Sequence, residues 1–334
     1  MWITISNISF QFNDWIHPIF QNYCNFGHQT IYIKQNMVFK KERLSFTGHD
    51  SFHCRSFWLK KGVDFVQNEG IFNDNAVIDL GVGRNMVSAV RYWLKCFGMT
   101  DEQDFLQPIA RQIFDDTEGY DPYCEDKGTI WLLHYLLVTT GRASIYNLVF
   151  NLFRKERIEF TKEQLIANIE NYCRLQDFTV QRSSLERDAD VFLHNYHHKP
   201  SLKNSISETM SGVLQELNLV EYVGKSETKE VYKIESQDRP DLPALIVLLG
   251  INQQLKGNVS ISFQELLNGM DSVGSVFALN ATGLMTKIEA LLDIFPQDIV
   301  FTDDGGIRLL QFKKQFSDSD ILNQFYESES IAFG

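Results

Sequence analysis

The sequence predicts a mainly α-helical protein with small β-hairpins, an α+β fold built from several helix-turn-helix or winged-helix units in tandem. Apolar residues recur at helical spacing through much of the chain, and two segments, 206–234 and 281–312, have the pattern of a helix followed by a short hairpin. The 334 residues are 44% hydrophobic, which is enough to pack two or three domains. No window approaches the ~18 uninterrupted apolar residues of a membrane span.

Three domains are expected from these patterns. Residues 1–128 would form an N-terminal helix-turn-helix DNA-binding domain that ends in an acidic loop. Residues 129–237 would form a helical domain with a winged-helix-like ending. Residues 238–334 would form a C-terminal winged-helix domain, for which a scaffold or oligomer role is favoured because much of it is poor in Lys and Arg. The linker between the last two is expected at 237–243, which holds two prolines.

The N-terminal domain is predicted from a helix pair at residues 74–97. Residues 74–80 favour a short helix, and the Gly-Val-Gly sequence at 81–83 supplies a tight turn, because glycine tolerates the left-handed backbone of a sharp reversal. These glycines do not form a nucleotide-binding loop. Met86 replaces the third glycine of the dinucleotide motif, and no Gly-Lys-Ser/Thr follows.

On the second helix of this pair, a basic stripe lies opposite an apolar face. Arg84, Ser88, Arg91 and Lys95 follow one another at i, i+4, i+7 and i+11. Arg84 and Asn85 are residue types that reach the edges of guanine and adenine, whereas the other three are predicted to hold phosphates. An ordinary amphipathic helix with a solvated basic face explains the pattern equally well. The apolar face comprises Met86, Val90, Trp93, Leu94 and Phe97.

Charge is unevenly distributed along the N-terminal third. The net charge of −12 argues against indiscriminate coating of nucleic acid. Residues 34–61 nevertheless carry seven Lys and Arg against two acidic residues. Arg55, Lys60 and Lys61 in this segment are therefore predicted phosphate contacts.

An acidic segment follows at residues 101–126, with nine carboxylates and a single Arg. A glycine and a proline within it favour a turn that brings Asp115, Asp121 and Asp126 together, and these three are the predicted catalytic residues. Together with Glu125 they are predicted to bind a divalent metal ion, Mg²⁺ or Mn²⁺. The alternative is that the same carboxylates cap helices or pair with Lys and Arg, and Asp126 lies close to the start of the next predicted helix.

Histidines and cysteines give weaker signals. His49 and His53 have the i, i+4 spacing of two metal ligands on one helical face, but no third ligand lies nearby. His134 lies in an apolar segment, 129–137, and is expected to be a hydrogen-bonded core residue. The five cysteines include no Cys-x-x-Cys pair, so they are expected to be reduced and structural. The first residues lack the pattern of a secretory signal, which favours a cytoplasmic protein.

Four segments together resemble a known bacterial family. They are "GHDSFHCRSFWLKKG", "LGVGRNMVSAVRYWLKCFG", "EGYDPYCEDKGTIWLLHYLL" and "DDGGIRLLQFK". In this order they resemble a domain-of-unknown-function family that is encoded in phage-defence islands, beside sulfur-transfer enzymes similar to PAPS reductases. The resemblance covers most of residues 40–315. Arg84 stands where relatives often have Lys, which preserves the positive charge.

The resemblance has functional implications. The characterised members of the family, the SspB proteins of single-stranded DNA phosphorothioation, are described as DNA nicking enzymes. The resemblance therefore implies double-stranded DNA as the ligand, and sulfur-transfer and ATPase components of the same defence system as partners. It also implies that one DNA strand is cut so that sulfur can be installed in the backbone.

Two functional classes therefore remain. In the first, the protein is a metal-dependent DNA nicking endonuclease of a phosphorothioation-based anti-phage defence system. In the second, it is a non-catalytic winged-helix DNA-binding adaptor that recruits modification or defence partners. A homo-oligomer, assembled through the C-terminal domain, is compatible with both classes. The residues alone favour the adaptor, and the resemblance favours the nickase.

Overall fold

Helices and two small antiparallel sheets make up residues 44–197 and 212–332, the part of the chain that this computed structural model describes. The predicted mainly helical α+β fold is confirmed. The helices are α1 (Trp58–Gln67), α2 (Ala76–Asp79), α3 (Arg84–Cys96), α4 (Pro108–Phe114), α5 (Lys127–Thr139), α6 (Ser144–Leu148), α7 (Arg154–Glu156), α8 (Lys162–Leu175), α9 (Arg182–Tyr196), α10 (Ala244–Leu255), α11 (Phe263–Asn268), α12 (Val273–Val276), α13 (Ala281–Ile294) and α14 (Asp318–Ala332). The strands are β1 (Glu159–Thr161), β2 (Glu221–Ser226), β3 (Lys229–Lys233), β4 (Ser260–Ser262), β5 (Ile299–Asp304) and β6 (Ile307–Phe312).

Helices α1 and α3 pack against each other through apolar side chains. Leu59 and Val63 of α1 are fully buried, as are Val90 and Leu94 of α3. Gly62 permits this close approach, because a side chain at that position would collide with both residues of α3. A smaller cluster beside it joins α2 to the pair and comprises Phe65, Ala76, Leu80 and Val87.

Helix α5 is the predicted core helix, and every residue from 128 to 135 is buried. Helix α10 is equally apolar, with residues 245–251 buried, and it packs against α5. The hydroxyl of Tyr135 donates a hydrogen bond of 3.4 Å to the carbonyl of Gly250. No described helix has the length and apolar content that a bilayer crossing requires.

The first sheet unit follows the helical segment 144–156. Strand β1 leads directly into α8, where the Thr161 and Gln164 side chains form a reciprocal capping box. Helix α9 comes next, and the β2–β3 hairpin then closes an antiparallel sheet of order β1-β3-β2. The predicted hairpin is confirmed. Residues 206–211 of the helix predicted at 206–217 lie outside the described residues, as do the basic residues before position 44. In the described remainder, only Gln215–Leu217 are helical, as a single 3₁₀ turn, so the predicted α-helix is wrong there.

The second sheet unit has a similar order of elements, with one additional helix between its first strand and its hairpin. Helix α10 precedes β4, which leads into α11, where the Ser262 hydroxyl accepts a hydrogen bond of 3.1 Å from the backbone N–H of Glu265. Helices α12 and α13 and the β5–β6 hairpin follow, and the sheet order is β4-β6-β5. The helix and hairpin predicted at 281–312 are therefore confirmed.

Buried polar contacts connect the two sheet units. The guanidinium of Arg154 donates to the carbonyl oxygens of Gly274 at 2.9 Å and Ser275 at 3.1 Å. The backbone N–H of Gln237 donates to the carbonyl of Ala278 at 3.0 Å. The described residues belong to one packed unit, and the domain boundaries expected at 128 and 237 stay predictions.

Candidate nucleic-acid interface

The helix pair predicted at residues 74–97 is present. Helix α2 ends at Asp79, Gly81 has a left-handed φ of 57°, and α3 begins at Arg84 after an extended Gly83. Open space surrounds the position that a side chain would take at either glycine. The backbone conformation, and not crowding, is therefore what favours glycine at position 81.

The apolar face of α3 is buried as predicted. Val90, Trp93, Leu94 and Phe97 have no exposed surface, and Met86 is partly buried. The indole N–H of Trp93 also donates a hydrogen bond of 3.0 Å to the carbonyl of Phe52. These contacts fix the rotation of the helix, so the opposite stripe faces outward.

The first turn of α3 is the open end of this stripe. The Arg84 side chain is 76% exposed, and its guanidinium lies 3.2 Å from the carboxylate of Asp74, which is 86% exposed. Asn85 and Ser88 are also exposed. An exposed ion pair of this kind contributes only ~0–1 kcal/mol, so Arg84 can exchange its partner for a phosphate or a base at little cost.

The second half of the stripe is already paired with the side chain of Asp104. Arg91 donates to both carboxylate oxygens of Asp104, at 2.9 and 2.6 Å, and the Lys95 ammonium lies 3.1 Å away. Partial burial opposes the charge of Asp104, but the hydrogen bonds from Arg91 and Lys95 lower its pKa. The predicted phosphate contacts of Arg91 and Lys95 stay predictions, and they require this partner to be exchanged.

The three basic residues of the α1 region differ in accessibility. The Lys60 side chain is buried, and its ammonium lies 2.5 Å from Asp64 and 2.7 Å from Asp116. Burial opposes its charge, but the hydrogen bonds to Asp116 and Asp64 raise its pKa. Lys61 is exposed and donates to the carbonyl of Leu80 at 2.9 Å. The Arg55 guanidinium lies 5.2 Å from the Trp58 ring centre.

A cavity of about 610 Å³ opens beside these lysines. It lies between α1, the end of α2 and the acidic loop, residues 115–126. Its apolar lining includes two half-exposed aromatic side chains, Phe57 and Tyr123, with exposed fractions of 50% and 56%. The buried Phe65 and Leu80 side chains also line the cavity. Its polar lining comprises Lys60, Lys61, Asp64, Asn68 and Asp79.

The carboxylates of the acidic loop accept hydrogen bonds from the backbone. Asp115 accepts from the N–H groups of Thr117 and Glu118 at 2.9 and 3.0 Å, and from the Gln67 amide at 2.6 Å. These bonds lower the pKa of Asp115, with the backbone bond from Thr117 contributing most. The carboxylate of Asp115 is therefore an acceptor for a local turn.

Asp121 and Asp126 have the same type of role at the other end of the loop. Asp121 is buried, and its two oxygens accept from the N–H groups of Glu125 and Asp126 at 2.9 and 3.0 Å. Asp126 is the N-cap of α5 and accepts from the N–H of Gly128 at 2.6 Å. Burial raises the pKa of Asp126, and the neighbouring Asp121 charge raises it further.

The acidic loop as folded is a set of backbone caps and does not form an assembled metal site. Among the described residues, no three His, Cys, Asp or Glu side chains are grouped so that they could hold a metal ion. Glu125, the fourth predicted ligand, is exposed. The catalytic and metal-binding roles of Asp115, Asp121, Glu125 and Asp126 stay predictions.

The C-terminal helix α14 braces the acidic loop. The Tyr120 ring stacks on Tyr326 with centres 4.4 Å apart, and the Tyr120 hydroxyl donates to the amide oxygen of Asn323. The Thr129 and Tyr326 hydroxyls are 2.9 Å apart. This bracing supports the alternative interpretation of the loop as a structural element.

Two histidine predictions have different outcomes. His49 and His53 do not lie on a helix, so their i, i+4 spacing does not place them on a shared helical face. His49 is buried, and its Nε2 lies 3.0 Å from the carboxylate of Asp188. His134 is the predicted core residue, 2.8 Å from both the Tyr196 hydroxyl and the Val276 carbonyl, and burial lowers its pKa to about 3.

The fold and this surface define an α+β protein with a helix pair that exposes an arginine at the first turn of its second helix. The sequence profile of DUF4007, a family of proteins of unknown function, matches residues 46–326. The chain belongs to this family.

Solved structures support the same assignment. Two SspB crystal structures, one of them with magnesium ion bound, are each 28% identical to this chain, with a TM-score of 0.74. The matches cover 85% of this chain and 88% of each SspB chain. The comparison with curated proteins gives no match. The resemblance to an SspB-like family is thus confirmed.

Sequence reasoning missed two features of this surface. From the sequence, Asp104 is assigned only to an acidic segment, although its charge is opposite to that of the nearby α3 stripe and therefore indicates an ion pair. Phe57 gave no signal, because an aromatic residue at the start of an amphipathic helix is normally part of the core.

Proposed function

We propose that this chain is a DNA-binding protein of a phosphorothioation-based phage-defence system, and that it nicks one DNA strand so that sulfur can be installed. The observation that carries the DNA-binding part is the exposed first turn of α3, with Arg84 and Asn85 facing solvent opposite a buried apolar face. The similarity to SspB over most of both chains supports the biological setting.

The docking geometry follows from this helix pair. Helix α3 acts as a recognition helix whose N-terminal residues contact base edges, while Lys61 and Arg55 contact the backbone. Arg84 is suited to guanine and Asn85 to adenine, because each offers paired hydrogen-bonding groups to those bases in the major groove.

The two sheet units are proposed to be winged-helix units. In each, a helix precedes a short strand, further helices follow (two in the first unit and three in the second), and a hairpin closes a sheet in which the first strand pairs with the third. The first hairpin, residues 221–233, carries three Lys and three Glu, whereas the second, residues 299–312, carries Asp303 and Asp304 against Arg308 alone and does not suit an anionic partner. The second unit is therefore assigned a scaffold or oligomer role.

A divalent metal ion, Mg²⁺ or Mn²⁺, is part of the nickase proposal, supported by the magnesium-bound SspB structure. The residues do not fit a preformed site, since Asp115 and Asp121 already accept backbone hydrogen bonds through their carboxylates. No catalytic step is assigned to the metal ion on this basis.

The same observation favours a second candidate function. A non-catalytic adaptor needs only the DNA-binding surface and a stable scaffold, and the cap roles of Asp121 and Asp126 agree with that requirement. In either function, the protein acts in the cytoplasm with the sulfur-transfer and ATPase components of the system.

Plasmid nicking distinguishes the two candidates. Purified protein is incubated with supercoiled plasmid in Mg²⁺, Mn²⁺ or EDTA, and conversion to open circles is measured. Metal-dependent conversion supports the nickase. Plasmid that is bound but stays supercoiled in every condition supports the adaptor and rejects nicking by the isolated chain.

DNA binding itself is tested at Arg84. Arg84→Ala is expected to weaken binding by about 1–3 kcal/mol and relax sequence preference, if the residue contacts a base. The matched control is Arg308→Ala, which removes another exposed arginine, paired at 2.8 Å with Asp303 on the second hairpin. Equal affinities for the two variants in a fluorescence anisotropy titration would contradict the assignment of α3.

A further inference from the structure

The cavity beside α1 has an unusual lining for a protein surface. Phe57 and Tyr123 are both about half exposed at its edge, with 50% and 56% of their surface accessible. Most aromatic side chains of the described residues are instead buried, because exposing them to water costs free energy. Two exposed aromatic rings around one cavity therefore indicate a ligand with an apolar face.

Both aromatic residues lie on hydrogen-bonded backbone. The carbonyl of Phe57 accepts the N–H of Lys61 at 3.0 Å, in the first turn of α1. Tyr123 lies within a turn closed by a 3.2 Å hydrogen bond from the N–H of Cys124 to the carbonyl of Asp121. The Asp121 carboxylate holds the next two backbone N–H groups. The acidic loop thus presents Tyr123 at a fixed position beside the cavity.

The polar groups of the cavity suit an uncharged ligand with a polar edge, because its lining holds two lysines, Lys60 and Lys61, and two aspartates. Lys60 is balanced by Asp64 and Asp116, at 2.5 and 2.7 Å. Asn68 and Asp79 add an amide and a carboxylate to the lining. The volume of about 610 Å³ lies within the ~300–1,000 Å³ usual for small-molecule sites.

We propose that this cavity receives an unpaired nucleobase of the bound DNA, stacked by Phe57 and Tyr123. A nucleobase has both an apolar face and a hydrogen-bonding edge, and proteins bind single-stranded nucleic acid by stacking bases on aromatic side chains. The inference rests on the proposed DNA-binding function, and it adds a subsite to it. Lys61, which donates to the Leu80 carbonyl at 2.9 Å, connects this cavity to the end of α2 and hence to the helix pair.

The first test compares unpaired with paired DNA. Fluorescence anisotropy is measured with the full chain on a single-stranded oligonucleotide and on the corresponding fully paired duplex. Phe57→Ala and Tyr123→Ala are each expected to weaken binding of the single strand roughly 5- to 150-fold, with a much smaller effect on the duplex. Phe57→Tyr and Tyr123→Phe keep the stacking ring and are expected to bind the single strand as the wild type does.

A matched control excludes a general effect of removing an exposed ring. Phe105 is 69% exposed and lies outside the cavity, so Phe105→Ala is expected to leave binding of both DNA forms unchanged. Circular dichroism and thermal melting of each variant confirm that it is folded.

The second test locates the base. The same single strand is prepared with 5-iododeoxyuridine in place of thymidine, irradiated in the complex, and analysed by mass spectrometry. Crosslinks to Phe57 or Tyr123 support the inference. Single-strand binding that is equal in wild type and both alanine variants, with crosslinks only elsewhere, overturns it while leaving DNA binding by α3 intact. Absence of binding to both DNA forms overturns the inference and the proposed function together.

Discussion

Helix α3 and the acidic loop, residues 115–126, both concentrate like charges, but those charges have different surroundings. Arg84 at the start of α3 is 76% exposed and has one exposed carboxylate as its partner. Asp121 in the loop is 8% exposed, and both of its oxygens accept backbone N–H groups. A partly solvated charge can bind a ligand without losing a structural contact, whereas a charge that caps backbone groups cannot.

The two regions are stabilised by different contacts. In α3 the apolar face fixes the helix and leaves the charged face open to contacts. In the loop the carboxylates of Asp115 and Asp121 hold the backbone, together with the stacking of Tyr120 on Tyr326 of α14. Substitutions on the apolar face of α3 and at the loop carboxylates therefore test this difference through the free energy of unfolding.

The largest expected effect is on the apolar face of α3. Trp93→Ala should lower the free energy of unfolding by about 3–5 kcal/mol, because the indole is fully buried and its N–H bonds to the Phe52 carbonyl. Urea denaturation measures the loss. Ile78→Ala removes a side chain that is 79% exposed and is expected to change stability by less than about 0.5 kcal/mol. Similar losses in both variants would contradict the assignment of the buried face.

The second effect is on the loop. Asp121→Asn places an amide N–H against a backbone N–H, so it should lower the free energy of unfolding by about 1–3 kcal/mol. Glu125→Gln, at an exposed position, is the control and should change it by less than about 0.5 kcal/mol.

Activity and stability must be measured together for these loop variants. If Asp121 only caps the loop, nicking should fall in step with the folded fraction. A fully stable Asp121→Asn protein that has lost metal-dependent nicking would instead support the predicted catalytic role of this carboxylate.

The elements of the fold were largely predictable from local patterns, but the roles of charged residues were not. Helical periodicity and the glycine turn located α3 within a residue, and the helix-and-hairpin pattern at 281–312 located α13, β5 and β6. Whether a carboxylate meets a cation, a backbone N–H or a metal ion depends on residues distant in the sequence. Gln67, which bonds to Asp115, lies 48 positions away.

A smaller effect is expected from pH. The folded-state pKa of Asp104 is lowered, chiefly through Arg91, so its contribution to stability is present above the unfolded pKa of about 3.9 and is lost as the pH falls through the folded value. Asp104→Asn should therefore lower the melting temperature near neutral pH, by a free energy of about 1 kcal/mol or less, and the difference from wild type should shrink in acid.

Asp126 provides the opposite case. Its folded-state pKa is raised, so protonation of this group favours the folded state, and its contribution to stability grows as the pH falls through the folded value.

A melting-temperature difference for Asp104→Asn that widens in acid would contradict the ion-pair assignment. Asparagine also tolerates the left-handed backbone of position 104, where φ is 68°, so strain does not confound the comparison.

The smallest expected effect is on DNA binding through the second half of the α3 stripe. Arg91→Ala should weaken binding to all DNA sequences alike, and by less than Arg84→Ala, because Asp104 already balances the Arg91 guanidinium. If Arg91 exchanges Asp104 for a phosphate, the slope of log affinity against log salt should fall by about 1 in the Arg91→Ala variant.

Asp104→Asn should act in the opposite direction. It should strengthen DNA binding and steepen the slope, because it frees Arg91 and Lys95 for phosphates. Anisotropy titrations at several salt concentrations measure both variants. Unchanged affinity in an Arg84→Ala, Arg91→Ala double variant would show that α3 is an ordinary amphipathic helix with a solvated basic face, and that any DNA contact lies elsewhere.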